Sequence, residues 1–170
     1  MAGLSGDTLE IRRFSAADEQ GVIDVILPIQ REEFGIAITA EDQPDLRAIP
    51  DFYQTGDGDF WVAAVGERIV GTLALKDIGG AEAALRKMFV ASDFRGREHG
   101  VATRLLGLLL AHAERRKINA IYLGTTDLFL AAHRFYEKNG FVEIAREDLP
   151  ASFPLMGVDT KFYVRRLAAG

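Results

Sequence analysis

Apolar positions along the chain switch between a helical period and short strand-like runs. From Ser15 onward, Val22, Ile23, Val25, Ile26 and Ile29 return every three or four residues, as one face of a helix does. Ser15 can cap that helix, which then runs from Asp18 to roughly Glu33; Pro28 lies inside it and bends or ends it. A second stripe joins Val101, Ala102, Leu105, Leu106, Leu109, Leu110 and Ala113, predicting a helix from about Gly100 to Lys117. Arg115, Arg116 and Lys117 close it, as the negative end of the helix dipole favours. A third helix spans Phe129 to Asn139 and stops at Asn139-Gly140. Asp7–Phe14 reads as a first strand, and Asp59–Val65 and Ile69–Leu75 as hairpin arms around Gly66-Glu67-Arg68. Glu82–Val90, Ala120–Gly124, Phe141–Arg146 and Thr160–Leu167 supply the other strands. Phe60 and Trp61 belong to the core, and the polar stretch Thr39–Tyr53, with Pro44 and Pro50, is a short helix within a loop.

That order predicts an α/β (α+β) domain with a mixed sheet and a helix packed between consecutive strands. At 170 residues without repeats or a dividing linker, a single domain over 1–170 is expected. The chain has no cysteine, and His99, His112 and His133 show no metal-ligand spacing, so no metal is expected. No apolar run reaches the length of a membrane span, and MAGLSGDTLE is not a signal peptide, so no membrane partner and a cytoplasmic location are expected. The net charge of −5 argues against nucleic acid. Charge is unevenly spread, however. Arg86, Lys87, Arg95, Arg97 and Arg104 stand against only Asp93 and Glu98, a local excess suited to a small anionic ligand.

Chemistry concentrates in FRGREHGVATRLL, residues 94–106. Two arginines and two glycines precede the long helix, with no Ser or Asp beside its start to cap it. The first turn of a helix offers unpaired N–H groups and partial positive charge, which together hold an anion. Gly100 and Ala102 are small enough for a ligand to reach the backbone. The stretch has neither a Walker lysine motif nor a dinucleotide fingerprint.

Taken with AIYLGTT and AAHRFYEKNGF downstream, LRKMFVASDFRGREHGVATRLL resembles the GNAT superfamily of acetyl-CoA-dependent N-acetyltransferases over about residues 60–167. The resemblance implies one GNAT-type domain, a mostly antiparallel twisted sheet of six to seven strands flanked by about four helices. The family's pyrophosphate pattern, Arg/Gln-x-x-Gly-x-Gly/Ala, matches Arg97-Glu98-His99-Gly100-Val101-Ala102, and the family's Leu-Leu pair matches Leu105-Leu106. Coenzyme A contacts are therefore implied for Met88, Phe89, Val90, Arg95, Gly96, Arg97, Glu98, His99, Gly100, Val101, Ala102 and Thr103, with His133 nearby on the closing helix. Family spacing from Val90 falls on Arg95, so the loop is two residues longer and Arg95 and Arg97 share the role.

The resemblance also implies direct acetyl transfer from acetyl-CoA to an amine, with Tyr136 protonating the leaving thiolate. The family's acidic strand residue is here Ala84; Glu82, two residues earlier on the same strand face, is the candidate base. The family's asparagine before the closing helix is here Phe129. Asp45, Asp51 and Tyr53 could line an acceptor pocket and draw in a cationic amine, with Phe153 and Pro154 closing it from the other side. A small-molecule amine is the leading acceptor. The alternatives are a protein or peptide amine, and a non-catalytic acyl-CoA sensor; homodimers are frequent in the family.

Overall fold

The computed structural model describes residues 8–96 and 98–167, and so omits Asp7 and Arg97. Seven strands form one sheet in the order β1-β2-β3-β4-β5-β7-β6. They are β1 (Leu9–Arg13), β2 (Asp59–Val65), β3 (Arg68–Gly79), β4 (Glu82–Val90), β5 (Ala120–Thr125), β6 (Val142–Ile144) and β7 (Lys161–Arg166). Every neighbouring pair is antiparallel except β4–β5. Four α-helices accompany them: α1 (Glu19–Pro28), α2 (Ile49–Phe52), α3 (Val101–Arg115) and α4 (Leu130–Lys138).

Strand alternation divides the helices between the two faces. Phe60 meets the Tyr53 ring at the end of α2, whereas its neighbour Trp61 meets His112 of α3. Consecutive residues of a strand point to opposite faces, so α2 and α3 lie on opposite sides of the sheet. Leu105, Leu106 and Leu109 are buried to the last few per cent, and each such side chain contributes roughly 1.5–3 kcal/mol. The start of α3 can sit directly on β3 because Gly71 has no side chain; a Cβ there would lie 2.8 Å from Val101 Cγ1.

Pro28 ends α1, and the chain continues through one wide turn over Ile29–Glu33, so the apolar stripe persists past the proline. The polar stretch before β2 is more ordered than a loop. A 3-10 turn (Pro44–Arg47) and α2 bury Leu46, Ile49 and Tyr53 completely.

Candidate active site

The site begins where the sheet parts. β4 and β5 pair over only three residues, Glu82–Ala84 against Ala120–Tyr122. Beyond Ala84, β4 stays on β3 and β5 stays on β7, so the two strands open a cleft with unladdered backbone on both walls. Leu85 to Phe89 line one wall, Gly124 to Thr126 the other, and Ala132 and Tyr136 of α4 face into it.

β4 is itself bent inside this cleft. Arg86 pairs with Ala74 and Phe89 with Thr72, so two residues of β4, Lys87 and Met88, oppose the single Leu73. This bulge puts Lys87 in the left-handed region at φ 55, an uncommon conformation for a side chain of that size. The Thr72 hydroxyl donates to the Lys87 carbonyl at 2.7 Å and pins the bulge.

At the C-terminal end of β4 the chain turns into α3. Gly100 occupies the cap position at φ 61, with no side-chain cap. Among the described residues the turn is closed by backbone, Gly100 N–H to the Gly96 carbonyl (3.3 Å) and Arg104 N–H to the Gly100 carbonyl (2.9 Å). Val101, Ala102 and Thr103 thus begin a 15-residue helix whose first-turn amides have no side-chain acceptor among the described residues, which fits the phosphates of coenzyme A. Arg95 does not supply the added charge. Its guanidinium is bidentate to Glu33 (2.6 and 2.8 Å), and its Nε donates to the Val90 carbonyl (2.8 Å). Arg95 therefore straps the loop to the turn after α1, and it holds the Glu33 carboxyl below its ordinary range. The His99 ring packs against Phe94, 5.1 Å between centroids, and Glu98 is exposed. The proposed Arg97 contact lies outside the described residues.

Tyr136 is 5% exposed, and its phenol has no hydrogen-bond partner among the described residues, yet its oxygen is not sealed off from the cleft. Burial, reinforced by the fields of Tyr163 and Asp159, pushes its pKa up, so it stays a proton donor. His133 does not reach the cleft wall. It is buried, with its Nε2 2.8 Å from the Thr126 carbonyl, holding the turn between β5 and α4.

Nor does the structure bring Glu82 to the cleft. It precedes the parting point, is absent from the lining, and accepts a hydrogen bond from Tyr122 Oη at 3.3 Å. The carboxylate that does line the cleft is Asp159, which is buried and accepts from Met156 N–H at 3.3 Å. It lies close against β5 because residue 124 is glycine; a Cβ there would lie 2.5 Å from Asp159 Oδ2. Burial pushes the Asp159 pKa up, while the Met156 amide and Arg86 pull it down.

The expected acidic acceptor pocket is reversed in sign. Asp51 is exposed, and the buried Asp45 accepts from Tyr53 Oη at 2.6 Å and sits 3.6 Å from Lys87 Nζ. Gln43, paired with Gln30 through two amide hydrogen bonds, also accepts from Lys87 Nζ. The cleft wall at this end instead carries Arg86 and Lys87, with Phe153 and Pro154 opposite as expected. Sequence reasoning counted both cations in the basic excess suited to an anionic ligand but did not place them on the acceptor wall. Their signal is the consecutive pair inside the otherwise apolar run Ala83–Val90, where a solvated strand would alternate.

A parted parallel strand pair, a helix after β4 that starts at a glycine, and a phenol on the cleft wall without a hydrogen-bond partner among the described residues fit an acyl-coenzyme A-dependent transferase. The family comparison agrees, because residues 23–141 match the Acetyltransferase (GNAT) family, and the chain belongs to it. An acetyltransferase of the GNAT family from Staphylococcus aureus Mu50 is 40% identical, with a TM-score of 0.90 over 95% of this chain and 100% of that one. An acetyltransferase from Streptococcus agalactiae 2603 is 29% identical, with a TM-score of 0.89 over 94% of this chain and 98% of that one. N-acetylaspartate synthetase of Xenopus tropicalis is 36% identical over 104 residues, 59% of this chain. The chain spans 37% of that relative's length. Among the described residues no helix is long and apolar enough to cross a membrane.

Proposed function

We propose that the protein transfers an acetyl group from acetyl-coenzyme A directly to the primary amine of a small molecule. The observation that carries this reading is the cleft between β4 and β5 with Tyr136 in its wall, β4 leading on through one loop to the glycine start of α3. The pyrophosphate rests on the first-turn amides of α3, and the pantetheine arm runs along the open backbone of Met88 to Val90. The amine nitrogen attacks the thioester carbonyl carbon, the C–S bond breaks, and Tyr136 Oη gives its proton to the departing sulfur. The proton shed by the amine goes to Asp159, the carboxylate on the cleft wall. Relatives named for N-acetylaspartate synthesis support a small acceptor over a protein one.

The test is release of free coenzyme A from acetyl-CoA across a panel of amino acids, polyamines, aminoglycosides and peptides. Release with at least one small amine, well above hydrolysis, is expected. Release with peptides alone favours a protein acceptor. Release with none leaves an acyl-CoA-binding sensor and refutes the transferase reading.

A further inference from the structure

The acceptor end of the cleft has an arginine that no described carboxylate meets at ion-pair distance, although Asp159 lies near enough to feel its charge. Of the charged residues lining the cleft, Arg86 and Lys87 are cations and Asp159 is the one acid among the described residues. Lys87 is accounted for by Asp45 and Gln43. Arg86 makes no ion pair within 4 Å of any described carboxylate, Asp159 included. A guanidinium offers five N–H donors. The hydrogen bond made by this one goes to the Met156 thioether at 3.3 Å, a weak acceptor.

Arg86 is nevertheless held in place. Its guanidinium carbon lies 5.7 Å from the Phe52 ring centroid and 5.9 Å from that of Tyr53, and the Tyr53 ring is fixed by its hydrogen bond to Asp45. A half-buried, oriented cation whose donors meet no described carboxylate directly is left for a ligand's anion to pair with. The planar fork of a guanidinium matches a carboxylate through two parallel hydrogen bonds.

We propose that the acceptor is a small amine that also bears a carboxylate, an amino acid in the broad sense, and that Arg86 holds that carboxylate. This rests on the transferase reading above and narrows it. Asp159 and Arg86 then divide the ligand between them, the acid taking the amine end and the arginine the carboxylate end. Arg86 is the specificity residue in this arrangement, and the reacting atoms lie elsewhere.

The experiment compares kcat/KM for free amino acids, their methyl esters and the corresponding decarboxylated amines, in the wild-type chain and in Arg86→Gln. Free acids are expected to exceed esters by about 10²-fold, since the half-buried guanidinium keeps its bidentate partner only with the free acid. Arg86→Gln should raise KM for the free acid at least about 30-fold, leave KM for acetyl-CoA within about twofold, and erase the acid-over-ester preference. Arg86→Lys should restore part of that preference. Esters or plain amines turned over as well as the acids would overturn the proposal while leaving the transferase reading intact. So would a preference that survives in Arg86→Gln. Failure of every amine tested to raise coenzyme A release above hydrolysis would remove both. Should Arg86→Gln fail to fold, the wild-type acid-to-ester ratio decides the matter alone.

Discussion

Lys87 allows a test of which force governs a buried cation. Its side chain is 7% exposed, and it has both an attractive neighbour, Asp45 at 3.6 Å, and a repulsive one, Arg86. If the ion pair dominated, the amine would titrate above its ordinary value. Instead burial is the largest influence, Asp45 opposes it and Arg86 adds to it, and the amine is brought down to about 8 from 10.5. Below pH 8 both the folded and unfolded chains hold the proton, and folding bears the full cost of burying the charge. Between 8 and 10.5 the unfolded chain binds more protons, so stability climbs with pH; above 10.5 the cost is gone. The interval corresponds to about 3 kcal/mol. Urea unfolding of the wild-type chain and of Lys87→Met, from pH 7 to pH 11, isolates this contribution because the titration of distant groups cancels. The wild-type chain should gain about 3 kcal/mol on the variant across that range. A gap that stays constant would show that Asp45 cancels burial, one that moves the other way that Asp45 outweighs it, and either would refute the reasoning.

Three further predictions concern the site. Tyr136→Phe should lower kcat by about 10²–10⁴, with KM for acetyl-CoA little changed, because it removes one proton and almost no contact area; steady-state kinetics decide it. Asp159→Asn should lower kcat and abolish the acid limb of the pH–rate profile. In the wild-type chain that limb lies above the ordinary carboxylate range, since burial raises Asp159 and activity falls as it takes up a proton. Gly100→Val places a branched side chain at φ 61, and should cost about 1–2 kcal/mol in unfolding free energy. The same variant should reduce the thermal shift produced by coenzyme A, read by differential scanning fluorimetry.

Local pattern was enough to place most of the framework. Asp59–Val65 and Glu82–Val90 are strands with the bounds their apolar runs suggest, and the helix after Gly100 follows its leucine stripe to Arg115. The uncapped start of that helix was legible too, because Gly100 sits where a capping side chain would otherwise stand. What local pattern could not carry was pairing at a distance. Arg95 looks like a phosphate ligand until Glu33, 62 residues away in the chain, takes up its guanidinium. Glu82 shares a strand face with Ala84 and Arg86, but strand alternation gives no sign that the cleft opens only after Ala84. Asp45 reads as an acceptor-pocket acid until Tyr53 and Lys87 close over it. Asp159 comes from a proline-containing loop with no periodicity, and its hint was Gly124, a residue without a side chain near the end of a strand. The Lys87 bulge depends on Thr72 of the neighbouring strand and left no local trace.

The three-residue seam between β4 and β5 has a mechanical consequence. A sheet so briefly fastened is two panels, β1 to β4 and β5 to β7, joined by a short hinge line and by α3 behind it. A ligand carrying amides of its own that settles in the gap acts as a splint across the panels. Filling the gap and stiffening the protein are then a single event, and amide protons on both edges should slow their exchange together when coenzyme A is added.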